Sequence, residues 1–217
     1  MFIKDSVKFG DKVTEYLIDF PKNFDKNKKY PVLLYLHGHG AVNHPIERLK
    51  EVCPVRRERV PKDCEFILVV PHCPETFWLF RFETLTAFIG DMIDKPYVDR
   101  DRVYVAGSSM GGYATWQVLL YEPQVFAAAI VCCGGGQYWA LKCANGAFKH
   151  FPVKIIHGEK DGDILPRESV IMAESLNKVD GRAELTLYPE LAHDVWTVTF
   201  TSPDTYKWLL SHKKSDR

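Results

Sequence analysis

The feature that most constrains the fold is a series of short apolar runs, separated by stretches with helical character. Most of the runs are apolar at nearly every position, which is typical of strands covered on both faces, as in a parallel sheet. The first run instead alternates apolar and polar residues, which predicts an antiparallel strand at one edge. The runs occupy residues 13–20, 31–38, 66–72, 102–107, 126–133, 153–158 and 183–188.

Four longer stretches with helical character lie between or after these runs, at residues 83–95, 110–122, 167–179 and 203–214. Strand and helix therefore alternate through most of the chain. This alternation predicts an α/β fold with a mostly parallel central sheet, helices on both faces and an antiparallel N-terminal edge. The chain contains no internal repeat and no linker long enough to separate domains, so we expect a single domain over residues 1–217. A chain of this length buries a substantial core without disulfides or metals.

The clearest functional signal is the pentapeptide GSSMG at residues 107–111, which lies between the strand-like VYVA and a helical stretch. In a G-x-S-x-G elbow the serine occupies a strained turn from strand to helix, and the glycines permit close backbone packing. Ser109 is therefore the candidate nucleophile, and Ser108 is its competitor within the motif. The backbone N–H of Met110 begins the helix, so it is a candidate donor to the negative charge that develops during acyl transfer.

A serine hydroxyl becomes nucleophilic when a base takes its proton and a carboxylate orients that base. In folds with this elbow the order along the chain is Ser, then Asp or Glu, then His. His193, which follows the last apolar run, is the candidate base. Asp161 lies in the loop after the preceding run and is the candidate acid, with Asp163 as the alternative. We expect His157, at the end of that run, to be structural.

A second oxyanion donor is expected from the loop after an early strand. Residues 34–40 read LYLHGHG, and the two glycines leave little side-chain bulk there. The backbone N–H of His39 is the preferred donor, with that of Gly40 as the alternative. The pair His37 and His39 also suggests a metal site, but no third ligand of suitable spacing accompanies it. We therefore expect no metal.

Taken together, these segments resemble the α/β-hydrolase superfamily, and within it the short bacterial esterase and peptidase group related to prolyl oligopeptidase catalytic domains and to phospholipase/carboxylesterases. The resemblance spans about Tyr16 to Lys213. It rests on KKYPVLLYLHGHG, VVPHCPETFW, VDRDRVYVAGSSMGGYATW, FAAAIVCCGGG, VKIIHGEKD, LTLYPELAHDVWTVTF and YKWLLSHK. The family pattern places the nucleophile on Ser109, the acid on Asp161 and the histidine on His193. One departure is HGEKDGDILP, which is one residue longer before Pro166 than the usual HGxxDxxVP and leaves Asp163 in contention.

Family membership implies hydrolysis of esters or related acyl bonds without a cofactor. Trp78, Trp139 and Trp196 lie near the mapped loops and are candidates to line a pocket for apolar or aryl acyl groups. The segment between the run at 126–133 and the next has about 17 residues, 134–150, before the residues that lead into that run, which is too few for a large helical lid. We therefore expect an open site with minimal or no lid, suited to small, medium or aryl esters.

Composition excludes several other classes of protein. Lys plus Arg and Asp plus Glu number 28 each, so the net charge gives no sign of binding to nucleic acid or to an anionic membrane. No run of 18 apolar residues and no signal-peptide core is present, so we expect a cytoplasmic protein. The six cysteines are expected to be reduced thiols. Adjacent Cys132 and Cys133 are expected to point to opposite faces of a strand.

The leading interpretation is a cytoplasmic serine carboxylesterase whose partner is a small-molecule ester. A small peptidase or an acyl thioesterase with the same three residues is the first alternative. A non-catalytic module that uses the pocket to hold a ligand is the second, although such a module has no need of all three residues. The sequence does not indicate an oligomeric state.

Overall fold

The computed structural model describes all residues 1–217. Eight strands form one sheet in the order β1-β2-β4-β3-β5-β6-β7-β8. The strands are β1 (Ile3–Phe9), β2 (Lys12–Asp19), β3 (Tyr30–Leu36), β4 (Ile67–Pro71), β5 (Val98–Ser108), β6 (Ala128–Cys132), β7 (Pro152–Gly158) and β8 (Arg182–Tyr188). Strand β2 is antiparallel to both β1 and β4, and every other neighbouring pair is parallel. The expected mostly parallel sheet with an antiparallel N-terminal edge is therefore confirmed.

Seven α-helices surround the sheet. They are α1 (Leu49–Val52), α2 (Phe82–Ile93), α3 (Met110–Tyr121), α4 (Tyr138–Lys142), α5 (Arg167–Asn177), α6 (Trp196–Thr201) and α7 (Pro203–Leu210). Short 3₁₀ turns also occur at His39–Ala41, Ile46–Arg48, Arg57–Arg59, Trp78–Arg81 and Lys214–Asp216. None of the helices is long and apolar enough to cross a membrane.

The core consists of two apolar clusters on the two faces of the sheet. Alternate residues of β3 show the division, since Leu34 belongs to one cluster and Leu33 to the other. The first cluster includes residues of α2, α3, α4 and α5, and the second includes residues of α1, α6 and α7. Strands covered on both faces explain why the central runs are apolar at nearly every position.

The parallel strands place their carboxyl ends at one edge of the sheet. In the register of the sheet Ser108 pairs with Cys132, and Gly158 pairs with Tyr188. The loops that follow β3, β5, β6, β7 and β8 therefore meet at this edge. Ligands of α/β sheets bind at the carboxyl ends of the strands, so this edge is where a site is expected.

Candidate active site

Ser109 occupies a strained turn between β5 and α3. Its φ of 56° and ψ of −120° lie in a region that L residues rarely adopt. A Cβ on Gly107 would overlap the carbonyl oxygen of Gly111, and a Cβ on Gly111 would overlap that of Leu36. Both glycines are therefore required for the strand, the turn and the helix to pack this closely, as the elbow motif predicts.

The structure brings Ser109, His193 and Asp161 into one hydrogen-bonded series. Ser109 Oγ lies 2.9 Å from His193 Nε2, and His193 Nδ1 lies 2.7 Å from Asp161 Oδ2. The side chain of Asp161 is fully buried, whereas that of His193 keeps 21% of its surface exposed. In this arrangement Ser109 Oγ–H donates to the imidazole, and Nδ1–H donates to the carboxylate, which is the geometry of a nucleophile, a base and its orienting acid.

Asp161 is held ionised by its hydrogen bonds. Its Oδ1 accepts the backbone N–H groups of Asp163 at 2.9 Å and Ile164 at 3.0 Å. Its Oδ2 lies 3.1 Å from His157 Nε2 in addition to the contact with His193. Burial by itself raises the pKa of Asp161, but the hydrogen bonds from His193, Ile164 and Asp163 bring that pKa below its ordinary value.

Asp163 does not contact His193. Its side chain is exposed, forms no hydrogen bond, and faces an open cleft beside Ser109. The residue contributes only its backbone N–H to the site, through the bond to Asp161. The extra residue of HGEKDGDILP is thus accommodated in the loop after Asp161, and the spacing from His157 to Asp161 is retained.

His193 is brought over Ser109 by the loop between β8 and α6. A Cβ on Gly158 would overlap the carbonyl oxygens of Leu191 and Ala192, so this loop packs directly on the end of β7. The N–H of Lys160 donates to Leu191 O at 3.0 Å and joins the two loops. Because residue 158 is a glycine, this loop comes close enough to β7 for the imidazole of His193 to reach Asp161.

Both predicted oxyanion donors lie beside Ser109. Met110 is the first residue of α3, so its N–H has no acceptor within the helix. The loop that carries His39 passes close to the elbow, since a Cβ on Gly38 would lie 3.4 Å from Ser109 Cβ. Ser109 and His39 line two clefts in common, and Met110 lines one of them. That these two N–H groups donate to a substrate oxygen stays a prediction.

The side chain of His37 stabilises the loop that carries His39. Its Nδ1 lies 2.8 Å from Gly38 O, and its Nε2 accepts the N–H of Cys73 at 2.9 Å. The indole of Trp78 donates to His37 O at 3.0 Å. Burial is the main cause that lowers the pKa of His37 from 6.5 to about 4, so the imidazole is neutral near neutral pH. Both ring nitrogens form hydrogen bonds with backbone groups, so His37 is a structural residue of the loop that carries His39.

A pH dependence of stability follows from His37. Below pH 6.5 the imidazole takes up a proton in the unfolded chain but not in the folded one, so stability is lost as pH falls from about 6.5 towards 4. The lost free energy of unfolding is about 3 kcal/mol. We expect His37→Asn, which does not titrate, to show a shallower decline in urea unfolding between pH 7 and pH 4.5. Equal declines in the two proteins would contradict this role of His37.

Two clefts flank Ser109. One has a volume of about 580 Å³ and carries charged and polar side chains, including Arg48, Asp163 and His193. We call it the polar cleft. The other has a volume of about 530 Å³. We call it the apolar cleft, and its lining includes Phe77, Leu79, Phe80, Met110 and Tyr113.

The three tryptophans predicted to line a pocket have different positions. Trp196 lines the polar cleft and packs edge-on against His193, with ring centroids 5.3 Å apart. Trp78 lines the apolar cleft but is only 3% exposed, and its indole N–H donates a hydrogen bond to His37 O. Trp139 lines neither cleft: it lies on α4, which packs against α5, and its side chain is 59% exposed to solvent. The prediction for Trp139 is therefore corrected.

Tyr113 is a lining residue that the sequence reasoning missed. It follows Ser109 by four residues, and residues four apart lie on the same face of a helix. Its ring borders the apolar cleft and is 40% exposed. Helical periodicity counted from the elbow would have identified it.

Cys133 also lies at the site. The expectation that Cys132 and Cys133 face opposite sides of the sheet is wrong: β6 ends at Cys132, Cys133 has a φ of 41°, and both side chains join the same apolar cluster. The Sγ of Cys133 and ligand atoms of Asp161 and His193 all lie within 4.8 Å of one another. Burial holds the pKa of Cys133 well above its ordinary value, so it is a neutral thiol.

The segment between β6 and β7 contains one five-residue helix, α4. This helix packs against α5, and none of its residues lines either cleft. The segment therefore leaves Ser109 accessible, in keeping with the expected open site.

The chain is similar to known proteins in both sequence and fold. The profile of the phospholipase/carboxylesterase family matches residues 78–206, more than half of the chain. The chain is 25% identical to dipeptidyl-peptidase 5 of Porphyromonas gingivalis over 80% of its own length and 32% of that protein. It thus spans about a third of the length of this curated relative.

Solved structures show the same fold. A thermostable esterase superposes with a TM-score of 0.87 at 24% identity, covering 98% of this chain and 63% of the other. A ferulic acid esterase superposes with a TM-score of 0.72 at 17% identity, covering 96% and 97% of the two chains. With its strand order, elbow and family match taken together, the chain belongs to the phospholipase/carboxylesterase family of α/β hydrolases.

Proposed function

We propose that this protein is a serine carboxylesterase that hydrolyses esters of apolar or aryl acids through an acyl-enzyme on Ser109. The observation that carries the proposal is the series Ser109, His193 and Asp161, with contacts of 2.9 and 2.7 Å, beside an apolar cleft. The esterase names of two structural neighbours support it.

The first half of the reaction forms the acyl-enzyme. Ser109 Oγ attacks the carbonyl carbon of the ester while its proton moves to His193 Nε2. The N–H groups of His39 and Met110 donate to the negative oxygen of the tetrahedral intermediate. Asp161 stabilises the imidazolium and keeps Nδ1 protonated. When the intermediate collapses, the bond to the alcohol oxygen breaks and His193 Nε2–H protonates that oxygen.

The second half releases the acid. Water enters the site vacated by the alcohol, and His193 accepts its proton as the water oxygen attacks the acyl carbon. Collapse of this second intermediate breaks the bond to Ser109 Oγ, which regains a proton from His193. The free serine and a carboxylic acid result. All proton transfers pass through one imidazole, so no cofactor enters the reaction.

The positions of the two clefts support a proposal for where each end of the substrate binds. His193 must reach the oxygen of the leaving alcohol, and His193 lines only the polar cleft. The alcohol therefore occupies the polar cleft. The acyl group lies on the other side of the scissile bond, in the apolar cleft that Met110 and Tyr113 line.

Acyl selectivity tests this assignment. We expect Tyr113→Ala to lower the ratio of kcat/KM for a benzoyl ester over the acetyl ester of the same alcohol by about tenfold, since part of an aromatic contact is lost. Tyr121→Ala is the matched control, because Tyr121 ends the same helix and lies outside the cleft. An equal fall in kcat/KM for both esters in Tyr113→Ala would contradict this position of the acyl group. An equal loss of selectivity in Tyr121→Ala would contradict it as well.

The relationship to dipeptidyl-peptidase 5 favours one alternative, a peptidase that uses the same residues. A panel in which one acyl group is presented as an aryl ester, a thioester and an anilide separates the two functions. We expect kcat/KM for the ester to exceed that for the anilide by at least about 100-fold. An anilide cleaved within about tenfold of the ester would favour the peptidase. The Ser109→Ala protein supplies the background rate for each substrate.

A further inference from the structure

Asp161 contacts a second histidine besides the proposed base. His157 lies near the carboxyl end of β7, and its side chain is fully buried. Its Nε2 is 3.1 Å from Asp161 Oδ2, the same oxygen that His193 Nδ1 approaches to 2.7 Å. Two imidazoles therefore share one carboxylate oxygen.

The surroundings of His157 determine where its proton lies. Nε2 faces Asp161 Oδ2 and, at 2.9 Å, the carbonyl oxygen of Ile164. Both of these atoms are acceptors, so Nε2 must carry a hydrogen and donate it. On the opposite side of the ring, Nδ1 lies 2.7 Å from Ser169 Oγ, and that hydroxyl lies 3.2 Å from Gly134 O. Ser169 is fully buried on α5, so the imidazole is fixed at both nitrogens.

The carboxylate of Asp161 thus receives four hydrogen bonds. His157 and His193 donate to Oδ2, and the backbone N–H groups of Asp163 and Ile164 donate to Oδ1. The backbone donors hold one oxygen. His157 is the only donor besides His193 that holds the other oxygen.

We propose that His157 is a positioning residue of the active site: its Nε2–H fixes Oδ2 of Asp161 towards His193 and withdraws part of the negative charge that this oxygen presents. The proposal rests on the proposed function, since it assigns Asp161 the role of orienting acid. It extends that function by one residue, which acts through Asp161 and does not touch the substrate.

Loss of the hydrogen bond from His157 is expected to change the pH dependence of kcat/KM in one direction. Without the hydrogen bond, Oδ2 carries more negative charge and stabilises the imidazolium form of His193, so the acidic limb of kcat/KM moves to higher pH. With one hydrogen bond fewer, the carboxylate orients His193 less precisely, which lowers kcat/KM by about 10- to 100-fold, the range for a hydrogen bond to a charged group. Two other titratable groups near Asp161, Cys133 and Tyr113, add no charge, because burial raises the pKa of each and keeps it neutral.

Two amide variants separate positioning from packing. The amide nitrogen of His157→Gln reaches the place of Nε2 and keeps the donor to Asp161. The shorter side chain of His157→Asn reaches the place of Nδ1, keeps the contact with Ser169 and loses the donor. We expect the Gln variant to retain the wild-type acidic limb within about 0.2 pH units and the Asn variant to shift it upward by about 0.5 to 1 unit.

The measurements are kcat/KM for one aryl ester from pH 5 to 8 and an NMR titration of the His193 ring, which needs no turnover. Met172→Ala is the control for lost stability, because Met172 is buried on the same helix as Ser169 and belongs to the apolar core. Its acidic limb is expected to match the wild type. If His157→Asn does not fold, His157→Leu takes its place.

The proposal would be overturned if the acidic limb of kcat/KM and the His193 titration were the same in the wild type and in the variant without the donor. It would also be overturned if the acidic limb shifted equally in His157→Gln and in the variant without the donor. Absence of ester turnover in the wild type would contradict the proposed function instead. In that case the NMR titration alone still decides whether His157 acts on His193 through Asp161.

Discussion

Replacing Ser109 by alanine is expected to lower kcat for ester hydrolysis by about 10⁶-fold, the loss found when the nucleophile of a serine triad is removed. The change deletes Oγ, which is the atom that is hydrogen-bonded to His193. Alanine keeps the Cβ that the elbow already accommodates. We therefore expect the free energy of unfolding to stay within about 1 kcal/mol of the wild type. Steady-state assays with one aryl ester and urea unfolding measure the two quantities.

Ser108→Ala is the matched control for this prediction. Ser108 Oγ is hydrogen-bonded to the buried hydroxyl of Tyr35 at 2.7 Å, so its loss costs about 1 to 3 kcal/mol of stability. Its hydroxyl has no contact with His193, and we expect kcat to fall by less than about tenfold. Loss of activity in Ser108→Ala with activity retained in Ser109→Ala would mean that the other serine is the nucleophile.

The second large effect is expected at Asp161. In Asp161→Asn the amide nitrogen faces either two backbone donors at Oδ1 or two imidazoles at Oδ2, so one pair of hydrogen bonds is lost whichever way the amide turns. The backbone N–H groups of Asp163 and Ile164 cannot become acceptors, so the amide nitrogen turns towards the imidazoles and favours the wrong tautomer of His193, in which Nδ1 carries no hydrogen. An Asp→Asn change of this kind lowers kcat by about 10⁴-fold. Measurement on the same ester, at one pH, gives the comparison with wild type.

Asp163→Asn supplies the control. It keeps the backbone N–H that Asp161 accepts, and its exposed side chain has no hydrogen bond to lose. Screened fields from a surface acid are weak, so we expect kcat to change by less than about tenfold. A larger loss in Asp163→Asn than in Asp161→Asn would assign the acid to the other residue and leave Ser109 and His193 in place.

Much of this fold was predictable because buried parallel strands have a strong sequence signal. All seven apolar runs are strands, and the five central ones, β3 to β7, are apolar at nearly every position because they are covered on both faces. Strand β1 was missed because it lies at the edge of the sheet and most of its residues are exposed, as IKDSVKF shows. The short helices α4 and α6 were missed because helices of five and six residues have too few turns to show a period.

The site was predictable where a backbone requirement has a residue signature. The glycines at 107 and 111 are needed for the elbow, and the chain order then directs attention to Asp161 and His193. The pocket was less predictable, because a tryptophan near a loop has no pattern that distinguishes the buried Trp78 from the exposed Trp139. The sequence predicts only a structural role for His157, because a histidine at the end of a strand has no pattern that indicates which carboxylate its side chain contacts.

The central claim is that Ser109 is the activated nucleophile of this protein. Labelling with a fluorophosphonate, followed by intact mass analysis and peptide mapping, tests it most directly. We predict a single phosphonyl adduct on Ser109 of the wild type, loss of ester hydrolysis in proportion to labelling, and no adduct in Ser109→Ala. An adduct on Ser108 or on any other residue, or no adduct on a protein that hydrolyses esters, would contradict the claim.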